Sequence, residues 1–159
     1  MKFAWIWALL ALMLTACAAE ETFETVADEQ VLSVMAQPRE IMIELPEDAA
    51  APVLENQEQQ VYLGEGYELM LQTCPAGDLN GTVRSLTGYE KDKMTLIQTQ
   101  WQDVSRYDFV WVSAGEEGER LGRGTILDDG AYHYCLTLMR DASAGGEWEP
   151  VFASFNIAP

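Results

Sequence analysis

The sequence contains few of the residues from which catalytic and metal sites are usually built. It has one histidine and three cysteines in 159 residues. Only nine lysine and arginine residues face 26 acidic ones, which gives a formal net charge of −17. Nucleic acids and anionic lipid head groups bind basic surfaces, so this charge argues against both as ligands. An acidic surface is also simply soluble, and we infer no cationic ligand from it.

Motifs typical of particular enzyme chemistries are also absent. The sequence has no His-Glu-x-x-His zinc pair, no Gly-x-Ser-x-Gly nucleophile turn, no phosphate-binding glycine loop and no dinucleotide fingerprint. We therefore predict that the protein is not an enzyme and that it carries no cofactor and no metal.

The apolar run at the start of the chain is too short to span a bilayer. Phe3 to Leu14 gives about twelve residues, whereas a membrane-spanning helix needs about twenty. The run follows Met1-Lys2 and is followed at once by Leu14-Thr15-Ala16-Cys17. This arrangement is typical of a secretory signal.

The residues Leu14-Thr15-Ala16-Cys17 resemble the lipobox of bacterial lipoproteins. In that family the cysteine is lipidated and the segment before it is removed. The resemblance implies a signal peptide over residues 1–16, a lipid on Cys17 and a position on the extracytoplasmic face of the cell membrane. Ala18 follows, so the aspartate that retains some lipoproteins in an inner membrane is missing. The alternative is an ordinary secretory signal with an incidental cysteine.

Behind this segment the sequence predicts an acidic tether and one domain. Residues 17–38 carry five acidic side chains and then four large apolar ones, which leaves open whether residues 22–37 are helix or strand. Pro38 ends this stretch. We expect residues 39–159 to form a single α+β domain, since this length suffices for a hydrophobic core.

Alternating β-branched and aromatic residues, punctuated by glycine and acidic residues, predict an antiparallel sheet. Its densest part is a meander over residues 106–141 with a hairpin turn at Asp128-Asp129-Gly130. Both faces of the first strand of the meander, residues 107–114, are mostly apolar, so we expect cover on each side of the sheet. Further strands are predicted over 39–46, 60–63, 67–74 and 94–102, with a loop over 47–56.

One helix is predicted between these strands, and a second element near the end of the chain. Asp78 as N-cap and Gly88 as left-handed stop bracket apolar residues at helical spacing, namely Leu79, Val83 and Leu86. Residues 142–157 fit either a short helix that carries Trp148, Val151 and Phe152 or a final strand over 151–157. Pro150 is compatible with both.

The order of these elements resembles the PsbP-like α/β/α sandwich over residues 39–159. The resemblance rests on an opening strand that ends in Leu45-Pro46, a helix between strands, a long meander and a terminal Trp-x-x-x-Phe-x-Ser-Phe. It implies an α+β scaffold, an antiparallel meander with one or two packed helices. Many extracytoplasmic lipoproteins use that scaffold, and it implies no shared catalytic site.

The alternative fold is an all-β immunoglobulin-like sandwich. Asp129-Gly-Ala-Tyr-His-Tyr-Cys135 resembles the Asp-x-Ala-x-Tyr-x-Cys corner of that family, although His133 occupies the corner tyrosine position. Trp111 lies much too far behind Cys74 for the usual spacing from cysteine to tryptophan. We therefore favour the α+β fold.

Cys74 and Cys135 each lie in a predicted strand. Outside the cytoplasm a pair of cysteines usually forms a disulfide, and we predict one here. The alternative is two buried thiols that never meet, since a disulfide requires a short separation of the two backbones.

A site for chemistry can be drawn around His133. Asp128 and Asp129 lie just upstream, and the turn across the meander supplies Glu116, Glu117 and Glu119. Turn formation accounts for the aspartates and packing accounts for a strand histidine, and the acidic loops match no EF-hand spacing for calcium. A hydrolase that acts on envelope material, with a site near Asp129 and His133, is therefore only the alternative function.

Trp101 and Trp148 are the tryptophans that we expect to stay partly exposed. Both stand among polar residues, whereas most other aromatic side chains at strand spacing should be core. An exposed tryptophan suits a protein or glycan partner. The sequence thus predicts a membrane-anchored extracytoplasmic lipoprotein that acts as a binding or protein-interaction module.

Overall fold

The structure, a computed structural model, describes residues 37–49, 51–115 and 118–159. Within these ranges the backbone forms an antiparallel sheet of seven strands with two α-helices. The described residues belong to one unit that runs from Ala36 to Pro159. The predicted signal peptide, Cys17 and residues 17–36 of the predicted tether lie outside the described residues.

The elements in chain order are β1 (Ile41–Met42), β2 (Leu54–Glu55), β3 (Gln59–Gly64), β4 (Tyr67–Pro75), α1 (Leu79–Thr87), a 3₁₀ turn (Lys91–Lys93), β5 (Leu96–Trp101), β6 (Val104–Gly115), β7 (Gly118–Asp128), β8 (Tyr132–Asp141), α2 (Glu149–Ser154) and β9 (Asn156–Ile157). The large sheet has the strand order β2-β3-β4-β8-β7-β6-β5, and β1 pairs with β9 in a separate ribbon. Every pair is antiparallel, so the predicted meander is confirmed.

Strand β8 lies at the centre of the sheet between β4 and β7. Six consecutive residues, 133–138, are buried, and Tyr134, Cys135 and Leu136 have no exposed surface at all. A strand with neighbours on both edges is buried along its whole length only when both faces of the sheet are covered. The prediction of cover on both sides is therefore confirmed for β8.

Each face of the sheet packs under different elements. The face that we call the α2 face lies under helix α2 and the β1–β9 ribbon. The buried residues of its core are Ala49, Tyr62, Tyr67, Leu69, Leu71, Leu127, Tyr134, Leu136, Leu138, Val151, Phe152, Phe155 and Ile157. The opposite face, the α1 face, lies under helix α1 and has a smaller core of Val83, Phe109, Trp111, Ile126 and Cys135. Two cores with the sheet between them account for the two-sided apolar strands.

Helix α1 begins and ends where its caps predict. The Asp78 carboxylate accepts hydrogen bonds from the backbone N–H groups of Asn80 and Gly81. Gly88 has a φ of 80° and donates its N–H to the Arg84 carbonyl, as a left-handed C-cap does. The predicted helix is thus confirmed at both ends.

Helix α2 has no side-chain cap at its start, and Arg106 of β6 holds its other end. The Arg106 guanidinium donates to the carbonyls of Phe152 at 2.9 Å and Phe155 at 3.3 Å. It also forms a two-point ion pair with Asp108, at 2.9 and 3.1 Å, and Asp108 in turn accepts from the buried Thr125 hydroxyl. Such charge-assisted bonds are about twice as strong as neutral ones.

Four sequence predictions require correction. The strand expected over 39–46 is reduced to Ile41–Met42, although Ile41, Ile43 and Leu45 do pack against the core, and the expected loop over 47–56 contains β2. The C-terminal segment contains both rival elements, a helix followed by the short strand β9. The immunoglobulin-like alternative is wrong, because seven described strands form one sheet backed by helices and not two packed sheets.

We expect Gly122→Ala to destabilise the protein. The Trp111 ring lies directly across Gly122 of the neighbouring strand, so an added methyl group would collide with the fused part of the ring. Forcing a packed ring aside costs about 1–3 kcal/mol. Urea unfolding of the variant and the parent protein measures this loss.

Gly81→Ala is the matched control. Gly81 lies within α1, where a methyl group would meet nothing within 4 Å, so alanine should instead raise the helix stability by about 0.5–1 kcal/mol. Equal losses of stability in the two variants would contradict the packing of Trp111 on Gly122.

Candidate functional site

The C-terminal half of β6 is poorly covered on the α2 face. Val110 is 69% exposed and Val112 is 47% exposed, so the expectation that both faces of this strand are buried is wrong here. Helix α2 has six residues and is only about 9 Å long, whereas the twelve residues of β6 extend for about 40 Å. Strand β5 also ends opposite Phe109, so it gives no lateral cover beyond that residue.

A groove runs between these exposed valines and the start of helix α2. Its volume is about 360 Å³. Apolar side chains from three strands and from the segment before α2 form most of its wall, and we call it the α2 groove: Val110, Trp111, Val112, Leu121, Gly122, Arg123, Leu138, Arg140 and Trp148. Exposed apolar surface of this kind marks binding sites more often than featureless surface does.

The only charged side chains that line the α2 groove among the described residues are Arg123 and Arg140. The Arg123 guanidinium stacks 4.1 Å from the centre of the Phe152 ring and pairs with the exposed Glu149 at 2.8 Å. Arg140 donates to the Ala144 carbonyl at 2.6 Å. In a chain with 26 acidic residues, a groove lined by two arginines and no carboxylate is a local exception.

The structure does not bring Trp101 and Trp148 together. Trp148 lines the α2 groove just before the helix, half-buried, with its ring 4.6 Å from that of Tyr67 in an edge-on contact. Its indole nitrogen is buried and has no hydrogen-bond partner among the described residues. Trp101 is 68% exposed and lies near Phe155, at the other end of helix α2.

Asp129 stabilises the turn between β7 and β8 and also binds Arg39, which lies just before β1. Its carboxylate accepts from the backbone N–H groups of Ala131 and Tyr132 at 3.0 and 2.7 Å and from the Tyr134 hydroxyl at 3.0 Å. Arg39 lies 3.6 Å from it. Burial alone would raise the pKa of Asp129, but these hydrogen bonds and Arg39 outweigh burial and hold that pKa below its usual value. These partners give Asp129 a structural role.

His133 points to the opposite face from Asp129, so the hydrolase site drawn from these two residues is not assembled. The histidine is 1% exposed, and its Nδ1 lies 2.8 Å from the Thr82 hydroxyl of helix α1. Its Nε2 lies 3.6 Å from the Asp128 carboxylate, at the directly opposite register position of β7. Sequence reasoning grouped Asp128 with His133 but missed Thr82, because nothing in the sequence shows which turn of α1 covers the histidine.

Cys74 and Cys135 meet on the α1 face of adjacent strands. Cys74 lies opposite His133 and Gln72 lies opposite Cys135, so the two cysteines are diagonal neighbours. Both are free thiols, Cys74 half-buried and Cys135 fully buried. The Cys135 thiol hydrogen-bonds to Cys74, and together with Thr82 this lowers the pKa of Cys74 to about 7 against the opposing effects of burial and the charge of Glu58. The predicted disulfide stays a prediction, with its two partners in contact.

The remaining predicted residues do not join either site. Glu119 is exposed, and Glu116 and Glu117 lie outside the described residues. No group of three or more histidine, cysteine or acidic side chains in the described ranges could hold a metal ion. Within the same ranges, no helix is long and apolar enough to cross a membrane.

Comparison with known proteins gives no match. No family model matches the sequence, and no curated protein or solved structure is significantly similar to it. The function is therefore argued from the geometry described above.

We expect Asp129→Asn to lower the free energy of unfolding by about 1–3 kcal/mol at neutral pH, because the amide replaces an acceptor of several buried hydrogen bonds. The depressed pKa of Asp129 means that its stabilisation is fully present above about pH 4 and disappears as the pH falls through the lower pKa of the folded state. The variant should therefore lose less stability than the parent on acidification. Urea unfolding across this pH range measures the difference.

Asp103→Asn is the matched control. Asp103 also pairs with Arg39, at 3.1 Å, but its side chain is 65% exposed. Exposed pairs contribute less than about 1 kcal/mol, so this variant should unfold nearly as the parent does. A larger loss for Asp103→Asn than for Asp129→Asn would contradict the role assigned to Asp129.

Proposed function

We propose that the protein is a membrane-anchored extracytoplasmic lipoprotein whose domain binds a protein partner in the α2 groove. The anchor is supported by the lipobox-like Leu14-Thr15-Ala16-Cys17 behind a short apolar run. The binding role is supported by one observation above the others: an apolar groove with two arginines and no acid in its lining, on a chain with a net charge of −17.

The lining of the groove favours a protein segment as the occupant. Aliphatic side chains dominate its wall, whereas glycan sites rely on aromatic platforms and dense polar groups, and Trp148 alone provides little of either. Arg140, which forms no ion pair among the described residues, matches a carboxylate on the partner, because a guanidinium can bind a carboxylate at two points, whereas Arg123 is already paired with Glu149. We therefore propose a partner that presents apolar side chains next to aspartate or glutamate.

We also propose that the scaffold is PsbP-like. The opening β1 segment, helix α1 between β4 and β5, the β5–β8 meander and helix α2 on the opposite face follow the element order of that family. The scaffold carries no common catalytic residues, which agrees with a binding role.

Cys17→Ala should abolish incorporation of an alkyne-tagged palmitate and release the chain from the membrane fraction, because the lipidated sulfur is gone. Cys74→Ala is the matched control, since it removes a cysteine from β4 and leaves Cys17 intact. Gel fluorescence after click labelling measures both variants. Labelling that persists in Cys17→Ala would contradict the anchor.

The α2 groove is tested with the unit Ala36–Pro159 and anilinonaphthalene sulfonate, a fluorescent probe that joins apolar rings to an anion. We expect the folded unit to bind the probe and Val110→Glu to weaken binding by about tenfold, or about 1.4 kcal/mol, because the new carboxylate lies opposite Arg123, offsets its charge and repels the anionic probe. Arg140→Gln should also weaken it, through loss of charge attraction. Fluorescence titration measures each affinity.

Val53→Glu is the matched control for Val110→Glu. Val53 is 62% exposed, close to the exposure of Val110, but it does not line the groove. A photo-cross-linker placed at position 110 or 53 of the intact chain then carries the comparison into the cell. Equal probe binding by both glutamate variants, or equal cross-linking from both positions, would contradict a binding site in the α2 groove.

A further inference from the structure

We infer that Cys74 and Cys135 form a redox-active thiol pair that exchanges electrons with disulfides, with Cys74 as the attacking sulfur and Cys135 as the resolving one. This activity is separate from the α2 groove, because the thiols lie on the α1 face. Three features carry the inference: the diagonal positions of the two thiols on adjacent strands, their unequal exposure and the polar side chains of Thr82, His133 and Asp128 on the same face.

The two sulfurs differ in access. Cys74 stands near the end of β4, half-buried, whereas Cys135 lies in the middle of the central strand with no exposed surface. A disulfide substrate can therefore reach Cys74 and not Cys135. An accessible cysteine backed by a buried partner is the arrangement that attack followed by resolution requires.

The diagonal positions of the two cysteines favour a Cys74–Cys135 disulfide that is easily reduced. Diagonal neighbours on antiparallel strands stand about 7–8 Å apart between Cα atoms, whereas most disulfides span about 4.4–6.8 Å. A Cys74–Cys135 bond in this register therefore requires β4 and β8 to shift towards each other, and a disulfide held under such strain is reduced more easily than a relaxed structural one.

A path for the proton of Cys74 leads away from the sulfur. The Thr82 hydroxyl lies 2.8 Å from His133 Nδ1 and helps to lower the pKa of Cys74, and His133 Nε2 faces Asp128 at 3.6 Å. We assign the ring proton to Nε2, which leaves Nδ1 free to accept. The Cys74 proton then passes to the Thr82 oxygen as the Thr82 proton passes to Nδ1, and Asp128 stabilises the resulting imidazolium.

The charges around Cys74 are few. Cys135 and Thr82 stabilise its thiolate, whereas burial and the negative charge of Glu58 oppose it. The hydrogen bond to Cys74, together with burial, raises the pKa of Cys135 well above its usual value. Near neutral pH the accessible sulfur is therefore the ionised and nucleophilic one.

In this thiol–disulfide exchange the substrate disulfide is itself the oxidant, so no other oxidant is needed. The Cys74 thiolate attacks one sulfur of a disulfide RSSR, which breaks the S–S bond, forms a Cys74–SR mixed disulfide and releases RS⁻. Cys135 then loses its proton and attacks the Cys74 sulfur. This second step forms the Cys74–Cys135 bond and releases the other RS⁻, and the two protons leave with the two thiolates. The protein is oxidised by two electrons and the substrate disulfide is reduced to two thiols.

The test uses the full chain in detergent with Cys17→Ser, so that only the pair contributes thiols, after reduction with dithiothreitol. The probe is dithiobis(nitrobenzoate), an aromatic disulfide whose released thiolate is coloured. We expect two thiolates released per chain and no adduct by mass spectrometry, because Cys135 resolves the intermediate. Cys135→Ser or Cys135→Ala should release one thiolate and keep one adduct, and Cys74→Ser should react at least about tenfold more slowly through burial of Cys135.

A second measurement addresses the proton path. The rate of alkylation by iodoacetamide should have its midpoint near pH 7 in the parent, should move to higher pH in Thr82→Val, and should stay in place in the matched control Thr99→Val, on the exposed strand β5. Two bound adducts on the parent, equal rates for Cys74→Ser and the parent, or a native disulfide that dithiothreitol does not reduce would each overturn the inference.

Discussion

The position of helix α2 depends on the Arg106 guanidinium. The helix has six residues and no side-chain cap at its start, so it could not persist without tertiary contacts. Val151, Phe152 and Phe155 pack it into the core, and Arg106 joins the carbonyls of Phe152 and Phe155 to Asp108 and to the sheet. Because this clamp fixes a short helix over one part of the sheet, the rest of the α2 face stays open. The α2 groove is thus a consequence of where the clamp is placed and not of any special groove-forming residue.

The two helices are held by different means, and the two candidate sites follow from that difference. Helix α1 carries its own caps at Asp78 and Gly88, and it buries Val83 against the sheet. It also places Thr82 between a buried histidine and a half-buried thiol. On one face the missing cover leaves an apolar surface for a partner. On the other, His133 and Cys135 are buried beneath helix α1, and in this low-dielectric setting a few polar groups interact strongly.

The features that the sequence predicted well are those with local causes. Helix α1, the Asp128-Asp129-Gly130 turn and the β6–β8 meander depend on caps, turn residues and alternation within short windows. The exposure of Val110 and Val112 could not be predicted, because it depends on which part of the sheet a helix forty residues later would cover. The contact of Cys74 with Cys135 likewise depends on the register between β4 and β8, strands that are far apart in the chain. Trp101 combines both kinds of feature. Its polar neighbours in the sequence predicted that it is exposed, but they could not predict how far it lies from Trp148.

The β1–β9 ribbon gives the molecule a defined mechanical weak point. If the chain is anchored as proposed, tension from the membrane would enter the described part of the domain near Arg39, which Asp103, Asp129 and the Tyr134 hydroxyl hold in place. The next strand pairing after Arg39 is the β1–β9 ribbon, which has only two residue pairs, whereas β4 and β8 are joined by nine residue pairs. Tension would therefore open the ribbon before it reached the seven-stranded sheet. The ribbon would then open and re-form under load while the sheet kept its shape.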